Sequence, residues 1–203
     1  MACCAPVTTD GRTTRGERTR AKLLDAARTA FAGVPWNRAR VEDVCRAAGV
    51  GHGTYYAYFA NKEAILEALV RRHAAELYRL AEQPWTSGHV ENDVRRVIGG
   101  FVALSEADRD IREAWFAAAP SEPALHELVS EVRSQFVARV RAAFAAAREA
   151  GLARADLDVD VAATALAAMV EQTVTLAQRG EGLPTERLVD GLTDLWVHAV
   201  YRP

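Results

Sequence analysis

Apolar residues recur along this chain at three- and four-residue intervals, and no stretch alternates for long with the two-residue period of a strand. Leu23, Leu24, Ala27 and Phe31 mark one side of a first helix, from about Gly16 to Ala32. GVPWN ends it, because Gly33 and Pro35 extend a helix poorly. Two short helices follow, Val41–Ala48 and about 52–58. Asn61 then stands where an N-cap belongs, ahead of a long helix from Lys62 to about Glu82. Ile65, Leu66, Leu69, Val70, His73, Leu77 and Leu80 form its inward stripe. QPWTSGH connects it to helices at about 90–106 and 108–118, and Pro120 closes that run. A long helix opens at Ser121 or Glu122 with Pro123 and runs to Ala150, stopped by Gly151. The last two lie at about 157–179 and 185–201, bounded by Gly180 and Pro184. The pattern predicts an all-α protein of about nine helices without repeats.

Three segments follow from this layout. Residues 1–15, rich in Thr, Gly, Arg and Pro, read as a disordered basic arm. Residues 16–60 form a small three-helix domain, and residues 61–203 a larger helical one. Half of the 203 residues are hydrophobic and 26% are charged, the balance of a soluble globular protein. No uninterrupted apolar run approaches the ~18 residues of a membrane span. The opening MACCAPVTTDGRTTRGERTR has no apolar core of signal-peptide length, so a cytoplasmic location is expected. Cys3, Cys4 and Cys45 make no disulfide framework and have no metal-ligand neighbours at the right spacing. They read as incidental or buried thiols.

Charge changes the picture more than composition does. The net charge of −2 divides unevenly: residues 1–62 carry 10 Lys/Arg against 5 Asp/Glu, and the remainder 15 against 22. A basic first third on an acidic body points to a polyanionic partner for that third alone, or else to a solvated basic face. The segment VEDVCRAAGVGHGTYYAYFANKE, Val41 to Glu63, favours the former. A helix-turn-helix needs a short helix with an apolar inner face, a tight turn, and a second helix for the major groove of double-stranded DNA. Val41, Val44, Cys45 and Ala48 supply the inner face. Gly49 sits where the backbone must take a positive φ, and Val50 fills the space between the helices. The second helix carries Tyr55, Tyr56 and Tyr58, rings that pack on protein at one side and reach phosphate oxygens with their hydroxyls.

The succession AARTAF, then V-E-D-V-x-x-A-A-G-V, then x-x-G-T-x-Y-x-Y-F-x-x-K-E resembles the DNA-binding domain of TetR-family transcriptional regulators. The resemblance covers Arg18 to Glu63; beyond it only length and helical layout match. It implies that Thr54, Tyr56 and Lys62 contact the phosphate backbone. It also implies that His52, Gly53, Thr54, Ala57 and Tyr58 face base edges, with Arg40, Val41 and Glu42 abutting the DNA. Tyr55 and Phe59 face the interior. Arg12, Arg15, Arg18 and Arg20 are candidates for an added phosphate or minor-groove grip. The chain departs from the family pattern in three places. Arg40 stands for the usual capping Thr, Gly51 for the usual capping Ser, and Ala57 for a bulkier residue. Direct reading of bases then narrows to His52, Tyr58 and Arg40, with Ala57 against a thymine methyl.

The family resemblance also implies a homodimer on a palindromic operator. VDVAATALAAMVEQTVTLA and ERLVDGLTDLWVHAVY are more apolar than one buried face requires, with small Ala162, Ala163, Ala167 and Gly191. Leu166, Val170, Leu192, Leu195, Trp196 and Ala199 are expected to fill a seam between subunits. The resemblance further implies a pocket for a small hydrophobic effector, with Phe101, Trp115, Phe116, Phe136, Met169 and Gln172 as lining and His73 or His126 as a polar handle. Each of these is equally an ordinary core position. Two other classes stand beside this one. An enzyme would need a phosphate loop, nucleophile elbow or metal signature, and none is present; His73 and Glu76 show H-x-x-E spacing without the other ligands of a di-metal site. A helical ligand-binding or adaptor module with a degenerate helix-turn-helix is the second, raised by Arg40 and Gly51. The expected protein is therefore a non-enzymatic repressor without cofactor, metal or membrane association.

Overall fold

A computed structural model describes residues 14–82, 89–181 and 183–201. Among the described residues there are nine α-helices, one 3-10 turn and no strand. The chain divides into two compact units between Ile65 and Leu66, within the fourth helix.

The first unit holds α1 (Arg15–Phe31), the 3-10 turn Trp36–Arg38, α2 (Val41–Ala48), α3 (His52–Tyr56) and the start of α4 (Lys62–Ala81). α1 begins in a capping box: the Glu17 amide donates to Thr14 Oγ1 (3.2 Å) and the Thr14 amide to Glu17 Oε2 (2.6 Å). Arg15 thus belongs to a helix, so the basic arm stops short of it; Cys3, Cys4 and Arg12 lie outside the described residues. Leu23, Leu24, Ala27 and Phe31 are buried as their spacing predicts, and Phe31 meets Trp36 edge to face, centroids 5.5 Å apart. The turn from α2 to α3 rests on Gly49, at φ +60° and ψ +41°. Its amide and that of Val50 return to the carbonyls of Arg46 (3.2 Å) and Cys45 (3.0 Å), which satisfies the open end of α2. α3 is shorter than its sequence pattern suggests; Ala57 and Tyr58 already form a turn. Asn61 caps α4, its Oδ1 accepting from the Ala64 amide at 2.8 Å.

The second unit takes the rest of α4 with α5 (Val90–Ala107), α6 (Arg109–Ala118), α7 (Pro123–Glu149), α8 (Val159–Gln178) and α9 (Thr185–Val200). α5 packs on α9, and α7 and α9 on α8. Phe144 of α7 and Trp196 of α9 meet at 5.6 Å, nearly perpendicular, deep in this core. Gly100 permits a close approach. A β-carbon there would stand 2.7 Å from Leu80 Cδ2, so α5 and α4 touch more closely than any larger residue permits. α8 starts at Asp158, whose Oδ1 accepts from the amides of Asp160 and Val161 (both 3.1 Å).

Gly49 and Gly53 should respond oppositely to alanine. At Gly49 the left-handed backbone penalises a β-carbon by about 1–2 kcal/mol. Gly53 lies inside α3 with nothing within 4 Å of a new β-carbon, so Gly53→Ala should stabilise by about 0.5–1 kcal/mol. Urea unfolding of the two variants reads both signs.

Candidate DNA-reading helix and effector cavity

The first site grows from a five-residue helix with one anchor. Of α3, Tyr55 alone is buried; its hydroxyl donates to the Asn61 carbonyl at 2.9 Å, and its ring lies 5.9 Å from that of Phe59. Burial holds the Tyr55 phenol well above its usual pKa, so it stays a neutral donor. With that ring fixed inward, His52, Gly53, Thr54, Tyr56, Ala57 and Tyr58 are all exposed, Tyr56 by 53%. Arg40 and Glu42 are exposed as well, while Val41 is half-buried. Neither Arg40 nor Gly51 makes a side-chain cap. α2 is supported electrostatically, since Glu42 and Asp43 occupy the first turn and Arg46, paired with Asp43 at 2.8 Å, the last. Cys45 is a buried thiol, its pKa raised by burial and by Glu42.

Two residues are engaged differently from the sequence expectation. Lys62 Nζ donates to the carbonyls of Trp36 (3.0 Å) and Ala39 (3.4 Å) and lies 4.4 Å from the Trp36 ring centre. It ties the 36–39 loop to the start of α4, leaving its third N–H for any phosphate. Tyr58 turns its hydroxyl toward the start of α1: a β-carbon on Gly16 would stand 3.6 Å from it. Arg15, Arg18 and Arg20 are all exposed, and the Arg20 guanidinium lies over the Phe59 ring at 5.4 Å.

The second site is a cavity in the second unit, with about 120 Å³ open to the centres of water molecules. Phe101, Trp115, Phe116, Phe136 and His73 line it, together with aliphatic Leu77, Val97, Ile98, Val129 and Val170. Met169, Gln172 and His126 do not; Gln172 and His126 face solvent. His73 is a buried handle, its Nδ1 2.9 Å from Asp108 Oδ2. The sequence reading missed the charged lining: Arg112, Arg133 and Glu171. Arg133 and Glu171 are bidentate partners at 3.0 and 2.9 Å. Arg112 sits in the second turn of α6, where i, i+3 and i+4 spacing from Trp115 and Phe116 was the available signal. Among the described residues no metal-binding cluster of His, Cys, Asp or Glu occurs.

The expected intersubunit seam changes most. Leu166, Val170, Leu192 and Trp196 are buried inside their own unit, because α7 and α5 already cover those faces, and so they are core residues. Leu195 remains 55% exposed and Ala199 half-buried. Val161, at 63%, was not anticipated. α8 is long and apolar enough, by length and composition alone, to cross a membrane.

Comparison with known proteins agrees with both halves. Residues 23–69 match the model of bacterial regulatory proteins of the tetR family, and residues 94–202 the C-terminal domain of the transcriptional regulator EthR. EthR of Mycobacterium tuberculosis is 32% identical over 167 residues, spanning 79% of this chain and 77% of that protein. The chain belongs to the TetR family. This TetR-family regulator of transcription also resembles the repressor LfrR of Mycolicibacterium smegmatis, 39% identical over 84 residues, 40% of this chain and 43% of LfrR. Its fold is shared with Salmonella enterica GusR (TM-score 0.76, 21% identity, 92% of this chain and 97% of that one). It is shared too with Bacillus subtilis FadR, solved with stearoyl-CoA (TM-score 0.73, 21% identity, 89% and 99%).

Stability separates a tether from a contact surface in this TetR-family chain. Lys62→Met leaves the Trp36 and Ala39 carbonyls without their donor and should lower unfolding free energy by about 1–3 kcal/mol. Tyr56→Phe, at an exposed position, should stay within about 0.5 kcal/mol of the parent. Chemical denaturation of both proteins checks the contrast.

Proposed function

We propose that this chain is a cytoplasmic repressor that binds a palindromic operator as a homodimer and leaves it when a small hydrophobic effector enters the cavity of the second unit. One observation carries the DNA half: α3 commits Tyr55 inward and presents every other side chain outward, beside the exposed Arg40. In this reading Thr54 and Tyr56 grip phosphate, and Lys62 holds the loop and lends its remaining N–H. His52, Gly53, Ala57 and Arg40 meet base edges, with Tyr58 at the border, and Glu42 lies at the DNA-facing start of α2. A single five-residue helix makes a small footprint, so two copies on adjacent half-sites are needed for specificity.

The dimer reading is supported by the exposed apolar side chains of the last two helices. Val161 and Leu195 project from helices whose small Ala165, Ala168 and Gly191 are exposed beside them. Four helices, two from each copy, would close that surface. The effector reading is supported by a cavity walled by five aromatic side chains, Phe101, Trp115, Phe116, Phe136 and Trp196, and by the stearoyl-CoA named in the FadR structure.

Selection of genomic fragments by the purified protein, then binding at several salt concentrations, tests this. The expected outcome is a palindromic site with a log-log salt slope of several phosphate contacts. Tyr56→Phe should weaken binding on every sequence, and His52→Ala should change base preference by about 1–3 kcal/mol at one position of each half-site. Unselective binding would remove the operator reading. Sedimentation of the double variant Val161→Asp, Leu195→Asp should show monomers; an unchanged mass would remove the proposed seam.

A further inference from the structure

Beside the apolar cavity lies a second recess of about 320 Å³, lined by Arg109, Arg112, Glu113, Phe116, Ala117, Thr175, Gln178 and Arg179. Arg112 and Phe116 border both spaces. Arg112 is the unusual member: it is only 6% exposed, and its guanidinium bonds neutral groups, Gln178 Oε1 at 2.9 Å and Thr175 Oγ1 at 3.3 Å. Among the described residues no carboxylate pairs with it. The nearest acidic influence, Glu171, has both oxygens bound by Arg133. Burial depresses the Arg112 pKa, the mark of a cation short of compensation. A buried charge is ordinarily paired, so this one is incomplete by itself.

Two neighbours point the same way. The Gln178 side-chain Nε2 is buried and has no hydrogen-bond partner, which leaves an unsatisfied donor beside the Arg112 guanidinium. Arg109, held by Glu113 at 3.0 Å and by the Gln178 carbonyl, and exposed Arg179 complete three cations against the single carboxylate of Glu113. An excess of guanidinium groups and one unsatisfied amide donor at the rim of an apolar cavity describe a site for a molecule with two ends.

We propose that the effector is an amphipathic anion, its carboxylate or phosphate seated on Arg112 and Gln178 in the recess and its apolar body lying along Phe116, Trp115, Phe101 and Phe136. This rests on the reading of the cavity as the effector site and adds the chemical class that the site accepts.

The test uses the full chain and three probes with one tail: decanol, decanoate and decanoyl-CoA, titrated by calorimetry with and without the selected operator duplex. At least one of the two anions should bind ten-fold or more tighter than decanol. Their order tells whether a free carboxylate or a phosphate-bearing thioester is the better match. Arg112→Met should cut anion affinity at least ten-fold and leave decanol within about two-fold; its melting temperature should equal or exceed the parent's, because the charge removed has no carboxylate partner. Arg179→Ala, an exposed change, should reduce the anion preference several-fold even if Arg112→Met does not fold. Equal binding of decanol and both anions, or a preference untouched by either variant, overturns the proposal. Arginine-dependent anion binding that leaves operator affinity unchanged keeps the site and removes the effector role. If none of the three probes binds, the cavity reading fails, and the anion subsite with it.

Discussion

A five-residue helix in water does not hold its shape, because nucleation fixes several dihedrals for each first hydrogen bond gained. α3 therefore exists only while something outside it keeps it in place, and the burial of Tyr55 does this. The ring fills the interior of the first unit beside Phe59, and its hydroxyl fastens onto the Asn61 carbonyl just ahead of α4. The exposure of every other α3 side chain is set by that contact. Rotating α3 by one position would bury a neighbour and withdraw His52 or Tyr56 from solvent. The missing caps at Arg40 and Gly51 matter less in this light, since tertiary anchoring and the Gly49 turn supply what capping does not.

Much of the fold was legible because helical periodicity is a property of the chain itself. Leu23, Leu24, Ala27 and Phe31, or the α4 stripe from Ile65 to Leu77, repeat at a spacing that only a helix can put on one side. Gly49 was legible for a related reason: a glycine just after a short amphipathic helix has a local job. The Thr14-x-x-Glu17 box is equally local, and it starts α1 at Arg15, one residue ahead of the start that the apolar stripe predicts.

What stayed hidden required knowledge of which faces meet. The periodicity of α8 and α9 says that Leu166, Val170, Leu192 and Trp196 are apolar, not whether α5 and α7 or a second copy covers them. The core takes those four, and the surplus appears at Val161 and Leu195 instead. Lys62 illustrates the same limit from the polar side. A lysine at a helix start suggests an outward cation, and only the folded loop reveals two carbonyls and an indole ring within its reach. In sequence, an arginine between Ile111 and Glu113 looks like a surface residue; its burial follows only from the docking of α6.

The charge distribution of the whole chain makes the arginine recess harder to dismiss. Beyond residue 62 the sequence carries 15 basic against 22 acidic residues, so an anion approaching that part meets a repulsive average. Screening limits that average to about 8–10 Å in physiological salt, and inside a recess the nearest few charges decide. There, three guanidiniums and one carboxylate reverse the local sign. The basic first third faces the opposite task of holding a long polyanion on an open surface, where many weakly held contacts suffice. One chain thus separates two kinds of anion by geometry: exposed arginines and tyrosine hydroxyls suit a phosphate backbone, whereas a single buried guanidinium with an unsatisfied amide donor suits one small head group attached to an apolar body.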